Sequence, residues 1–208
     1  HSLCEGTYAY TVTDANGCTK SDEVIVTVNP SPNANAGNDV IICNGEDVTL
    51  TATGGTSPSS TYVWSNGGNT ATISVSPSTS TTYTVTVTDD NDCTATDEVI
   101  VTVNSLPEPT ITDTTGDLAF CPDGSTTLSV SDTYIDYQWY LDGEAITENN
   151  HELTANVVGN YAVTITDANN CTGSTAVTVT ENSLPTPNIT GTPSFCTGEN
   201  TILDAGSG

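Results

Sequence analysis

Tyr83-Thr-Val-Thr-Val-Thr-Asp-Asp-Asn-Asp-Cys93 decides the fold of this chain. Its first six residues alternate apolar with β-branched polar side chains, the period of a strand with one buried face. Asp and Asn follow, the residues of a tight turn, and a cysteine closes the run. Tyr8–Cys18 and Tyr161–Cys171 repeat the pattern, and the closing cysteines Cys18, Cys93 and Cys171 fall 75 and then 78 residues apart. A fixed period of this length marks a small domain repeated along the chain.

Proline-rich joints punctuate the repeats at Asn29-Pro-Ser-Pro32, Asn104-Ser-Leu-Pro-Glu-Pro109 and Asn182-Ser-Leu-Pro-Thr-Pro187. Paired prolines disfavour helix and central strand and give stiff, extended connectors. The 208 residues therefore divide into the C-terminal part of a repeat (1–29), complete repeats at 30–104 and 105–182, and the N-terminal part of another (183–208). The two part-repeats are expected to be completed by neighbours.

Between the joints, short alternating runs read as strands. In the first complete repeat these are Val40–Cys43, an edge strand, then Val48–Thr53, Thr61–Ser65, Ala71–Val75, Tyr83–Thr88 and Thr94–Val103. The second offers Thr126–Val130, Asp136–Leu141, Glu152–Ala155, Tyr161–Thr166 and Thr172–Thr180. About a fifth of the chain is Thr, Val is frequent and no helical apolar period appears, so the fold class is all-β. About seven short strands per repeat predict a two-sheet sandwich. Trp64 and Trp139 fall on the third strand, and Tyr83 and Tyr161 open the sixth. Those are the core tryptophan and tyrosine-corner positions of an immunoglobulin-like sandwich. Val85 and Val163, with Leu50 and Leu128 facing them, stand where the usual inter-sheet disulfide would be.

The cysteines sit elsewhere. Cys43 and Cys121 lie in the turn between strands one and two, and Cys93 and Cys171 in the last hairpin, so one bridge inside each repeat (43–93 and 121–171) is one reading. In an immunoglobulin-like topology, however, strands two and six run the same way, which puts these turns about 20 Å or more apart, against a Cα limit of about 7 Å for a disulfide. The preferred reading joins successive repeats: Cys43 with Cys171 here, Cys18 and Cys93 with preceding units, Cys121 and Cys196 with following ones. Cys4 has no counterpart and is unpaired or specific to one end. Cysteines at recurrent places suggest an oxidising, extracellular location.

The charge excludes several functions. There are 26 acids against Lys20 and no arginine, a formal −25. Nucleic acid needs a basic face, anionic membrane surfaces repel such a chain, and no apolar run is long enough to insert in a membrane. Catalysis is not expected. His1 and His151 sit in unrelated contexts, and the cysteine spacings are wrong for zinc. No cofactor is expected beyond calcium, for which Asp89, Asp90 and Asp92 are the best carboxylates; solvated turn chemistry is the competing reading. Asn170-Cys-Thr172, Asn188-Ile-Thr190 and Asp113-Thr-Thr115 fit short glycosylation motifs.

Two strings carry a resemblance: Tyr83–Asn104, echoed at Tyr8–Asn29, and Ala36-Gly-Asn-Asp-Val-Ile-Ile-Cys-Asn-Gly-Glu-Asp-Val-Thr-Leu50, whose cysteine turn returns at Cys121-Pro-Asp-Gly and Cys196-Thr-Gly-Glu. They resemble the immunoglobulin-like and PKD-like repeats of secreted Bacteroidota surface proteins, gliding adhesins and other type IX secretion cargo. The resemblance implies a secreted, cell-surface protein. Together these readings predict an extracellular stalk or filament of disulfide-stapled repeats for adhesion or appendage assembly. Its partners would be neighbouring copies of itself, and glycans or a surface. The alternative is a carbohydrate-binding or spacer module of a polysaccharide-degrading enzyme, with Tyr134, Tyr137 and Tyr140 as its aromatic platform.

Overall fold

The computed structural model describes residues 4–56, 59–191 and 193–204, and among these the only regular secondary structure is β-strand. The chain forms two compact units, His1–Asn104 and Ser105–Gly208.

The first unit opens with a hairpin of β1 (Gly6–Thr13) and β2 (Thr19–Val26), paired from Gly6↔Val26 to Thr13↔Thr19. Then come β3 (Ala34–Asn35), β4 (Val40–Cys43), β5 (Val48–Thr51), β6 (Thr53–Gly54), β7 (Thr61–Trp64), β8 (Thr72–Val75), β9 (Thr81–Thr88) and β10 (Thr94–Asn104). One layer is the sheet β4-β10-β9-β7; the pairs β3-β6 and β5-β8 supply the other. Alternation decides which residues enter the core. Tyr83, Val85 and Val87 of β9 are buried, while Thr82, Thr84, Thr86 and Thr88 face outward. Each fully buried valine contributes about 1.5–3 kcal/mol of apolar transfer free energy. Val99 and Val101 join them, and Leu50, Ile73 and Trp64 close one continuous core.

The edge strand expected at Val40–Cys43 forms as β4, at the edge of its sheet, and a short strand, β3, precedes it in the other layer. β3 pairs antiparallel with β6, whereas β4 runs parallel to β10 in the other sheet. Gly37, at φ +92°, lies between them. Two carboxylates pin the crossing: Asp97 accepts the Ala36 N–H at 2.8 Å and Asp39 accepts that of Ile100 at 2.8 Å. The expected strand Val48–Thr53 is interrupted at buried Ala52, whose N–H turns to Ala71 O at 2.8 Å.

The second unit holds β11 (Thr112–Asp113), β12 (Ala119–Phe120), β13 (Thr126–Ser129), β14 (Asp136–Leu141), β15 (Glu144–Ala145), β16 (Glu152–Ala155), β17 (Gly159–Thr166) and β18 (Thr172–Glu181). A short pair, β19 (Thr190–Gly191) and β20 (Leu203–Asp204), follows. The layers are β11-β13-β16 and β12-β18-β17-β14-β15. The first strand is again divided, with β12 parallel to β18. An added hairpin, β14–β15, turns on Asp142 and Gly143, both at positive φ (50° and 90°), the conformation a type I′ turn requires. Trp139, Leu128, Val163 and Ile165 are fully buried at the centre.

Candidate functional site

The hairpin turn that ends in cysteine is built the same way three times. In each, an aspartate carboxylate accepts two backbone N–H groups. Asp14 Oδ1 takes those of Asn16 and Cys18 at 2.9 and 2.8 Å. Asp89 Oδ1 takes Asn91 and Cys93, both at 2.9 Å, and Asp167 Oδ1 takes Asn169 and Cys171 at 2.8 and 2.9 Å. The N–H of each aspartate donates to the cysteine carbonyl at 2.9–3.0 Å. The residue before the cysteine has positive φ: Gly17 (82°), Asp92 (60°) and Asn170 (63°). Glycine, Asp and Asn reach that region at least cost, which explains why only they occur there. The motif Asp-x-Asn-(Gly/Asp/Asn)-Cys thus presents the cysteine in one preset geometry.

The other cysteine turn is equally regular. The N–H three residues on donates to the cysteine carbonyl: Glu46 to Cys43 at 3.0 Å, Gly124 to Cys121 at 2.9 Å and Glu199 to Cys196 at 3.0 Å. The third turn residue has positive φ in each case, Gly45 (92°), Asp123 (60°) and Gly198 (91°). At Cys43 the turn is clamped in reverse as well, its N–H donating to Glu46 Oε2 at 2.8 Å.

Register places these two turns at opposite ends of each repeat. Cys43 lies opposite Asn104, the last residue of β10, while Cys93 immediately precedes Thr94, the first. Eleven residues at about 3.3 Å each put roughly 35 Å between the two ends. In the second repeat Phe120, next to Cys121, lies opposite Glu181 at the end of β18, and Cys171 precedes its start at Thr172. Bridges 43–93 and 121–171 are therefore not formed. Cys43 and Cys171 are each disulfide-bonded. Cys93 and Cys121 are free thiols, as are Cys4, Cys18 and Cys196. Cys171 is buried and Cys93 half-buried, whereas the other four free thiols are exposed.

The core aromatics are anchored by their polar ends. Trp64 Nε1 donates to Thr70 O at 3.0 Å and Trp139 Nε1 to Asn150 O at 2.9 Å. The Tyr161 hydroxyl donates to Val157 O at 2.9 Å, and burial pushes it above the ordinary tyrosine value of 10.0. Tyr8 makes the same contact in the first hairpin, donating to Cys4 O at 2.9 Å. Tyr83 is buried at the matching position of β9.

The aspartates weighed for calcium diverge. Asp89 points inward, where it holds its own turn and accepts the Thr56 hydroxyl at 3.3 Å. Asp90 is engaged by Ser59 Oγ, and Asp92 is the positive-φ turn residue. Among the described residues no three His, Cys, Asp or Glu side chains gather closely enough to hold a metal ion. Two N–H groups of its own loop take the Oδ1 of the buried Asp89 carboxylate. The sequence did carry the signal for that role, an aspartate four residues before every hairpin cysteine.

Nor do the three tyrosines form a platform. Tyr137 is buried, its hydroxyl donating to Ser131 O at 2.9 Å, and Tyr134 meets it edge-on at 66°. Tyr140 lies on the opposite sheet face from Tyr137, beside Ala162 and Ala145. His151 approaches Glu152 at 3.9 Å; His1 lies outside the described residues.

A first strand shared by both layers, a penultimate strand at the heart of one sheet and a buried tryptophan on the third strand define tandem immunoglobulin-like β-sandwich domains. No family model matches the chain, and no curated protein matches it in sequence. Solved structures do show likenesses. An adhesin described as Ca2+-stabilised, by which an Antarctic bacterium binds ice, is 20% identical over 89% of this chain and 58% of that one, with a TM-score of 0.41. Titin domains I67–I69 are 12% identical over 73% of this chain and 66% of that chain, TM-score 0.38. The first two immunoglobulin domains of DIP-gamma are 12% identical over 73% of this chain and 98% of that chain, TM-score 0.36.

Proposed function

We propose that this chain is part of an extracellular stalk or filament of immunoglobulin-like repeats, stapled by disulfides between successive repeats, that serves surface adhesion or appendage assembly. In this reading Cys43 bonds Cys171, and Cys18, Cys93, Cys121 and Cys196 wait for equivalent cysteines of neighbouring units. Repeats 30–104 and 105–182 are its building blocks. The observation that carries the proposal is the pair of preset cysteine turns at opposite ends of each repeat. A bridge inside one repeat would have to span its whole length, while a bridge between successive repeats joins the end of one to the start of another. Two bonded cysteines from different repeats, with five free thiols beside them, support the same pairing.

The function is mechanical. Sandwiches resist extension, paired prolines limit bending, and a covalent joint stops repeats from separating under load. The formal charge of −25 keeps such rods from clumping. The repeat strings agree with a secreted Bacteroidota surface protein as source. A non-reducing peptide map tests the pairing. Trypsin has one site, Lys20, so proteases that cut beside Asp or Glu are the tool. The expected product links the Cys43 and Cys171 peptides; a 43–93 or 121–171 linkage would reject the proposal.

A further inference from the structure

The open seam of the second repeat carries a feature that the mechanical function leaves unused. β16 is the edge of its sheet, paired on one side only, with β13. The Val130 N–H donates to His151 O at 3.0 Å, so by antiparallel alternation the groups of Leu153 and Ala155 also face β13. The N–H and C=O groups of Glu152 and Thr154 then face the free edge. Along that edge runs a groove of about 510 Å³. Leu141 and Ile146, from the β14–β15 hairpin, and Leu153 and Val157 form its apolar walls, with Glu148 and Glu152 on its rim. Val157 is 50% exposed, a cost to a soluble repeat that a partner would remove.

We infer that this edge is a docking site for an extended, basic segment of a different protein, added as a further strand beside β16. Main-chain groups of Glu152 and Thr154 would pair with the incoming strand, and its alternate side chains would separate by face. Apolar ones would enter the groove beside Leu153, and cationic ones would stand opposite Glu152 and near Glu148. Charge selects the partner. A second copy brings 26 acids, one lysine and no arginine, and like charges across a strand pair repel. Among the described residues the Glu152 carboxylate meets a cationic group only at His151, 3.9 Å away, which leaves it available. Repeat one is an internal control. Its corresponding edge strand β8 carries Thr72 and Ser74 where β16 has Glu152 and Thr154, by the matched pairs Leu50↔Ile73 and Leu128↔Leu153. No carboxylate lies on that strand. The inference is independent of the disulfide proposal.

The test uses the whole oxidised chain and two short peptides, one alternating lysine with valine and one alternating glutamate with valine, followed by calorimetry. The basic peptide should bind once per chain and weaken with added salt; the acidic one should not bind. Thr154→Pro removes a free-edge N–H without touching the β13 ladder and should weaken binding at least about tenfold, the loss of a main-chain bond plus strand fit. The surface double variant Glu148→Gln/Glu152→Gln, which keeps the groove's shape, should weaken it about fivefold. No binding of the basic peptide, equal binding of both, or undiminished binding by the double variant overturns the inference. So does a peptide-free dimer in sedimentation that the double variant strengthens, since the occupant would then be a second copy.

Discussion

Removing the Asp89 carboxylate should unfold the first repeat's hairpin turn and lower the stability of the whole repeat. Asp89 is buried to 6% exposure and its Oδ1 accepts the N–H groups of Asn91 and Cys93, each at 2.9 Å. Hydrogen bonds to a charged acceptor contribute about 1.5–3 kcal/mol each. Asn91 is exposed and Cys93 half-buried, so water recovers part of the loss when the carboxylate goes. Relief of charge repulsion opposes it further, but that term is screened at about 0.15 M salt. The net cost of Asp89→Ala is then about 2–3 kcal/mol. For a domain of this size about 4–8 °C of melting temperature follows each kcal/mol, so the drop should be about 8–24 °C. Trp64 fluorescence in a Trp139→Phe background, taken as the parent for every comparison, reports on the first repeat alone. Asp89→Asn keeps an uncharged acceptor and should lose about half as much. Asp90→Ala removes an exposed carboxylate that accepts the Ser59 hydroxyl rather than the N–H groups of the turn, and should cost less than half as much as Asp89→Ala. A loss for Asp89→Ala below about 0.5 kcal/mol, or an equal loss for Asp90→Ala, would refute the role assigned to Asp89. Calcium that raised the melting point of the parent and not of Asp89→Ala would support the metal reading instead.

Gly173→Ala should destabilise the second repeat by about 1–3 kcal/mol, the usual cost of overpacking, because a Cβ there would lie 1.9 Å from the carbonyl oxygen of Pro107; urea melts of Trp139 fluorescence check it, and a neutral result would mean that the proline joint does not pack on this hairpin. The second repeat should also carry an acid-sensitive loop. The Thr115 hydroxyl above all, against the opposing effect of burial, and then Gly116 N–H, Thr126 and Leu118 N–H hold Asp113 below its ordinary value of 3.8. A depressed folded value means a stabilising contribution that is complete above the unfolded value and fades as pH falls through the folded one. Asp113→Asn should therefore flatten the stability of the second repeat below about pH 4, read from urea midpoints across pH; an unchanged acid limb would contradict the hydrogen-bond assignment.

What the sequence made legible was whatever repeats with a period. The long strands of each repeat, the inward valines of β9 and the buried tryptophans all follow from alternation, because a period of two has one solution once one face must leave water. The split first strand was hidden for the converse reason. Ala34–Asn35 and Ala119–Phe120 are two residues long, too short to show a period, and their placement is decided by distant partners such as Asp97 and by the last strand of the repeat. Asp142-Gly143 is a different case. It is the strongest local hairpin signal a sequence can carry, yet β15 beyond it has only Glu144 and Ala145, too little alternation to announce a strand.

The cysteine turns show how a motif can be visible while the bonds that shape it stay hidden. An acid-rich loop invites a cation only if the carboxylates converge, and convergence depends on where each backbone N–H points. In Asp-x-Asn-x-Cys the positive-φ residue folds two N–H groups back onto the aspartate, so its Oδ1 is already satisfied by the chain itself. The same turn forms in the two-stranded β1–β2 hairpin with Asp14, so bonds local to the hairpin order the cysteine. A thiol held in its bonding geometry loses less entropy when the disulfide closes, as the proposed stapling of successive repeats would require of each joint.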